Sequence, residues 1–94
     1  MQLHIIDAGT FKLDGGALYG VVPKSMWSKN MPSDENNMCS IAMRCLLIED
    51  GEKLILIDTG IGEKQDEKFL KHFFISGPTL VQSLQNKGFS PSDI

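Results

Sequence analysis

The apolar positions of the chain fall into two regimes. Up to Ile57 they come as short runs punctuated by glycine, and beyond Gln65 they recur at helical spacing. Leu3–Ala8 (LHIIDA) is predicted as a strand, broken by Gly9-Thr10. Phe11–Leu13 begins a second strand that runs into Asp14-Gly15-Gly16. Ala17–Val22 (ALYGVV) reads as further strand, with Gly20 marking a bulge or a close backbone approach. Pro23 ends it by removing a backbone donor. Lys24–Asn37 is polar, contains Pro32 and reads as a loop with one helical turn near Met26-Trp27. Connections of that length in a small domain are commonly functional or disordered.

The densest signal is the pair Ile41–Ile48 (IAMRCLLI) and Leu54–Ile57 (LILI), separated by Glu49-Asp50-Gly51-Glu52. Asp-Gly between two apolar runs predicts an antiparallel hairpin, closed by a type I′ turn with positive φ at both central residues. Alternation puts Ile41, Met43, Cys45 and Leu47 on one face and Ala42, Leu46 and Ile48 on the other, interrupted by Arg44. A sheet apolar on both faces is expected to be covered on both faces, which predicts a layered sandwich. The period then changes. Gln65–Phe74 places Phe69, Leu70 and Phe73 on one side of a helix, with Asp66 and Glu67 at the end its dipole favours. Ser76-Gly77-Pro78 breaks it. Thr79–Lys87 is a second helix, with Pro78 near its first turn and Gly88 just past its end. Phe89 can fold back on that helix, Ser90–Asp93 is a polar turn, and Ile94 reads as the opening of a following strand. The expected class is α/β in the α+β sense, a mostly antiparallel or mixed sheet plus two helices.

Composition narrows the functional classes. A chain of 94 residues holds one domain at most. Its net charge of −3 and the lack of a basic stripe argue against nucleic acid as a partner. No apolar run is long enough to cross a membrane. The start, MQLHIIDAG, lacks the cationic region of a signal peptide, so a cytoplasmic location is expected. Cys39 and Cys45 have a spacing that fits no zinc pattern and read as two unpaired thiols. His4 and His72 lie far apart, each without a second ligand at metal spacing.

Two stretches are candidates for chemistry. Asp58-Thr59-Gly60-Ile61-Gly62 follows a strand and precedes a helix, where free N–H groups can meet an anion. It lacks the third glycine of a dinucleotide loop and the Lys-Ser/Thr of a P-loop. The plainer reading has Asp58 or Thr59 capping backbone donors. Asp14-Gly15-Gly16 is either a tight turn or a backbone that passes close to a ligand. Tyr19 and Trp27 either line an apolar pocket or fill core. No serine, histidine or cysteine stands at a spacing that would complete a hydrolytic site within these residues.

The order FKLDGGALYGVVPKSMW, then a polar loop ending DENN, then IAMRCLLIEDGEKLILIDTGIG resembles the N-terminal part of metallo-β-lactamase-fold hydrolases, in particular their lactonase-like, small-molecule subgroup. The resemblance runs from Leu3 to Ile94. It implies an αββα sandwich, of which residues 1–94 would be the N-terminal portion, truncated before the family's H-x-H-x-D-H motif. It implies one or two divalent ions, usually zinc, in the parent protein, where a metal-bound water attacks an ester, lactone or related bond of a small-molecule substrate. It implies no metal and no activity in this chain alone. By the same resemblance, Asp58, Thr59 and Gly60 would support the metal loop from behind its ligands, and Gly15, Gly16 and Tyr19 would lie near the pocket. Half a sandwich leaves apolar sheet uncovered, so self-association or pairing with the missing C-terminal part is expected. The competing expectation is a self-contained, non-catalytic α/β binding or assembly module.

Overall fold

The computed structural model describes every residue from Met1 to Ile94. Two long strands, β1 (Gln2–Asp14) and β2 (Met38–Asp50), and a short one, β3 (Lys53–Ile57), form an antiparallel sheet in the order β1-β2-β3. Between β1 and β2 lie two single-turn helices, α1 (Gly15–Tyr19) and α2 (Lys24–Trp27). After β3 come α3 (Glu67–His72), α4 (Leu80–Asn86) and a 3-10 turn, Pro91–Asp93. The class is α+β.

The predicted hairpin is present, but its turn sits one residue later than expected. Asp50 still pairs with Lys53, so the loop is Gly51-Glu52. Positive φ falls at Gly51 (+62°) and not at Asp50. One positive φ at the first loop position is the type II′ pattern, which matches strand twist as well as type I′ does.

Two further expectations are corrected. The break at Gly9-Thr10 does not divide two strands. It is a bulge within β1, where the register against β2 shifts between Asp7 and Thr10 and Gly9 takes φ +102°. The Asp7 carboxylate accepts the Gly9 N–H at 2.8 Å. Nor does Ala17–Val22 extend. Asp14 caps the Gly16 N–H at 2.7 Å and starts α1 there. Local capping by a short acidic side chain overrides the β preference of the residues that follow.

One face of the sheet is covered. Ile6, Cys45 and Leu47 form a core with Leu84 of α4, and Leu54, Leu56, Leu80 and Phe89 pack against it. Helix α4 is closed at both ends. Thr79 and Gln82 form a reciprocal capping box. At the other end Phe89 N–H donates to Leu84 O and Gly88 N–H to Gln85 O, the paired bonds of a Schellman motif, with Phe89 returning to the core as such motifs favour. The opposite face does not follow the expectation of cover on both sides. Its rows, Leu3–Ile48–Ile55 and Ile5–Leu46–Ile57, run across all three strands. Leu3 is 62% and Ile5 66% exposed, whereas α4 packs on the face that carries Ile6, Cys45 and Leu47.

Candidate functional site

Strand β3 ends at Ile57, and the next residue turns sharply. Asp58 has φ +72°, a left-handed conformation that costs most side chains a steric penalty. Aspartate tolerates it because its carboxylate can bond the following backbone. Oδ1 accepts the Thr59 N–H at 2.6 Å and the Gly60 N–H at 3.1 Å. These two donors, Gly60 first and then Thr59, hold the Asp58 carboxyl below the usual carboxylate range. Both bonds fall on Oδ1, and the side chain is otherwise exposed. Gly60 follows at φ +70°, and a Cβ there would stand 3.0 Å from the Ala8 Cβ. Only glycine satisfies both constraints. Beneath the turn, burial and then the Asp58 charge push the Cys45 thiol up, so it is a protonated, packed group.

The turn forms one wall of a cleft of about 210 Å³. Its lining includes Thr59 and Ile61 of the turn, Ala8 and Met43 of the sheet, and Ser76 and Leu80. Asp58 itself borders the adjoining depression with Arg44, Cys45 and Gly60.

The other predicted residues lie elsewhere. Gly15 is buried under Trp27, whose indole a Cβ on residue 15 would strike. The Tyr19 ring stacks on the same indole, with centroids 4.9 Å apart and planes 17° apart. Gly16 donates to Asp14. Gly15 and Tyr19 are therefore brought together around Trp27 at the Asp14 end of β1, with Gly16 held by Asp14 beside them, whereas Asp58 meets β2 near Cys45. Cys39, which pairs with Leu13, is about 20 Å from Cys45 at the usual antiparallel rise. The structure does not bring the two groups into one pocket.

Sequence reasoning passed over Asp34 and the Ser76-Gly77 segment. Asp34 accepts the N–H groups of Asn36 and Met38, both at 2.9 Å, and lies 3.6 Å from Lys12 Nζ. The Met38 bond is the largest of the influences that hold its carboxyl low. An acid followed by two asparagines before a strand is a recognisable side-chain turn. Ser76 exchanges two backbone bonds with Thr10, at 2.8 and 3.0 Å. No local signal announces a partner that far along the chain.

Histidine, cysteine and carboxylate side chains do not converge in threes anywhere in the chain, so these residues do not fit a metal ion. No helix is long and apolar enough to cross a membrane.

An α+β unit with a braced acidic turn at a strand end is what the fold and site define. A crystal structure described as a probable metal-dependent hydrolase from Staphylococcus aureus matches it with a TM-score of 0.88 and 35% sequence identity. The match covers 99% of this chain and 34% of that one, so the chain spans about a third of the length of the solved structure it resembles. No protein-family model matches, and neither does any curated protein.

Proposed function

We propose that residues 1–94 are the N-terminal scaffold of a metal-dependent hydrolase of the metallo-β-lactamase type, with the metal ligands outside these residues. The observation that carries this reading is the match of nearly the whole chain, at 35% identity, to a third of a probable metal-dependent hydrolase. The motif order from Phe11 to Gly62 supports the finer assignment to the αββα, lactonase-like group, with one or two zinc-type ions and a small-molecule ester, lactone or related substrate.

Shape supports it too. The radius of gyration is 16.1 Å, where a compact domain of this length would have about 12 Å. The face with rows Leu3–Ile48–Ile55 and Ile5–Leu46–Ile57 has the composition of an interior surface. In this reading the rest of the polypeptide lays a second sheet on it. Asp58 is then a brace: its Oδ1 is committed to its own turn, and its Oδ2 points to a role in accepting a donor from the neighbouring metal loop. Thr59 and Gly60 shape that turn. Gly15 and Tyr19 act through Trp27, and Gly16 through its bond to Asp14, as a rigid corner beside the pocket. Two buried, unpaired cysteines fit a cytoplasmic setting.

The chain alone is expected to bind no stoichiometric zinc and to hydrolyse no lactone, phosphoester or thioester. Zinc titration by calorimetry and a substrate panel check this, and one tightly bound zinc per chain would overturn it. The coding sequence beyond residue 94 is expected to contain H-x-H-x-D-H, and a continuation without it would remove the hydrolase class.

A further inference from the structure

The turn at Asp58 does not stand by its own hydrogen bonds alone. It rests on β1, and β1 at that point is clamped from the far side. Gly60 lies so close to Ala8 that a Cβ on residue 60 would be 3.0 Å from the Ala8 Cβ. The next residue, Gly9, is the bulge, and its backbone crosses the segment between α3 and α4. A Cβ on residue 9 would be 2.6 Å from Ser76 O, and one on residue 77 would be 3.1 Å from the Gly9 Cα. Separations under about 3 Å are not found for real side chains, which excludes a Cβ at residue 9 without movement, and a Cβ at residue 77, where φ is +88°, would push Gly9 away by a few tenths of an ångström. The crossing is locked on one side by the reciprocal Thr10–Ser76 backbone bonds and by their hydroxyls, 3.0 Å apart. Met43 ties the two contacts together. Its Cε is 3.6 Å from the position a Cβ would take on Gly9, and its Sδ is 3.9 Å from that on Gly60.

We infer that Gly9 and Gly77 are positioning residues for the Asp58 turn: their crossing fixes the bulge, the bulge sets Ala8, and Ala8 seats Gly60. A shift of a few tenths of an ångström at residue 77 has few directions in which to relax. The Ser76 backbone holds it on one side, and on the other β2 pins β1 at the residues flanking the bulge, Asp7 through Arg44 and Thr10 through Ala42. The remaining direction is toward Ala8 and the turn. The linkage is a property of these 94 residues. Its value for aligning a metal loop rests on the hydrolase reading above.

The test uses the full chain and no metal. Gly77→Ala and Gly9→Ala introduce the offending Cβ, and Ala8→Gly removes the seat without any clash. Gly88→Ala is the control, because residue 88 also has a left-handed φ (+86°) but meets nothing within 4 Å. Amide exchange at Thr59 and Gly60 is followed by mass spectrometry, with the core amides of Ile6 and Leu47 as internal reference. The Asp58 carboxyl is titrated by carbon NMR. Gly77→Ala and Ala8→Gly are expected to speed exchange at Thr59 and Gly60 by about tenfold relative to the reference. They are also expected to raise the Asp58 titration toward the ordinary carboxylate value, while Gly88→Ala leaves both unchanged. A purely structural role for the crossing would lower global stability without moving Asp58. If Gly77→Ala or Gly9→Ala does not fold, Ala8→Gly decides. Unchanged Thr59, Gly60 and Asp58 in that variant would overturn the inference. So would equal effects from Gly88→Ala. Because no readout involves a metal, failure here would leave the hydrolase reading untouched, and the converse also holds.

Discussion

Asp58 shows how a single residue can be strained, exposed and still well determined. Its left-handed φ is offset by two bonds to its own carboxylate. Asparagine shares that tolerance and can accept the same bonds, but alanine can do neither. Asp58→Asn is therefore expected to be milder than Asp58→Ala in a urea melt. The charge has a separate signature. The Asp58 and Asp34 carboxyls are both held below the ordinary range, so between their folded pKa values and about 4 the unfolded chain binds more protons than the folded one. Stability is expected to be flat above that range and to fall as pH drops through the lowered values. Urea midpoints measured from neutral into acid pH check this, with Asp58→Asn and Asp34→Asn each flattening the acid limb. An unchanged acid limb in both variants would refute the assignment. The need for a braced turn after LILI was legible from residue types. That Asp58 itself takes the positive φ was not, because the sequence offered glycine two residues on as the cheaper place for it.

Among the elements, those with local causes were legible and those with distant causes were not. The β2–β3 hairpin follows from apolar runs flanking a glycine, and α4 follows from a cap, a periodic face and a terminal glycine. For α4 the consequences can be weighed. Thr79→Ala removes one arm of the capping box and should cost about 1 kcal/mol. Leu84→Ala empties a fully buried site facing Ile6, Cys45 and Leu47 and should cost roughly 2–5 kcal/mol, enough to dominate the stability of a small unit. Chemical denaturation of the two variants checks the ranking, and a larger loss for Thr79→Ala would contradict this account of the core. The segment Ala17–Val22 misled because its β-branched and aromatic residues suit a strand, while its fate was set by Asp14 upstream and by Trp27 seated on Gly15. Likewise Gly9 looked like a break. The bulge it makes depends on Ser76 and Gly77, which no window on the sequence near residue 9 contains.

At the scale of the whole molecule the two faces of the sheet differ in kind. One is closed by α4, and the other presents Leu3, Ile5, Ile55 and Ile57 to solvent. Apolar patches of a few hundred Å² on a soluble chain mark contact surfaces. The isolated chain is expected to self-associate through this face. Sedimentation velocity should show a concentration-dependent coefficient, and Ile5→Lys should shift the chain to monomer without loss of helical signal. A monodisperse wild-type monomer would count against the idea. The two-sided apolar pattern of β2 was legible in the sequence, whereas the cover expected on both faces is present in these residues on one face only.

The long ladder between β1 and β2 also orders events in time. Gln2 pairs with Glu49, and Thr10 pairs with Ser76. During synthesis β1 therefore emerges before any of its partner strand exists, with Asp14 waiting for Met38 and Gln2 for Glu49. The hairpin β2–β3, whose pairing is local, can close as soon as it emerges, but β1 must search across a loop that costs entropy before any contact rewards it. The clamp at Gly9 and Gly77 can form only after that, when α3 has been made. An apolar first strand that waits this long is a target for chaperones or for its neighbours on a crowded polysome. The same register that makes the sheet continuous leaves the Gln2 end of β1 waiting longest for its partner.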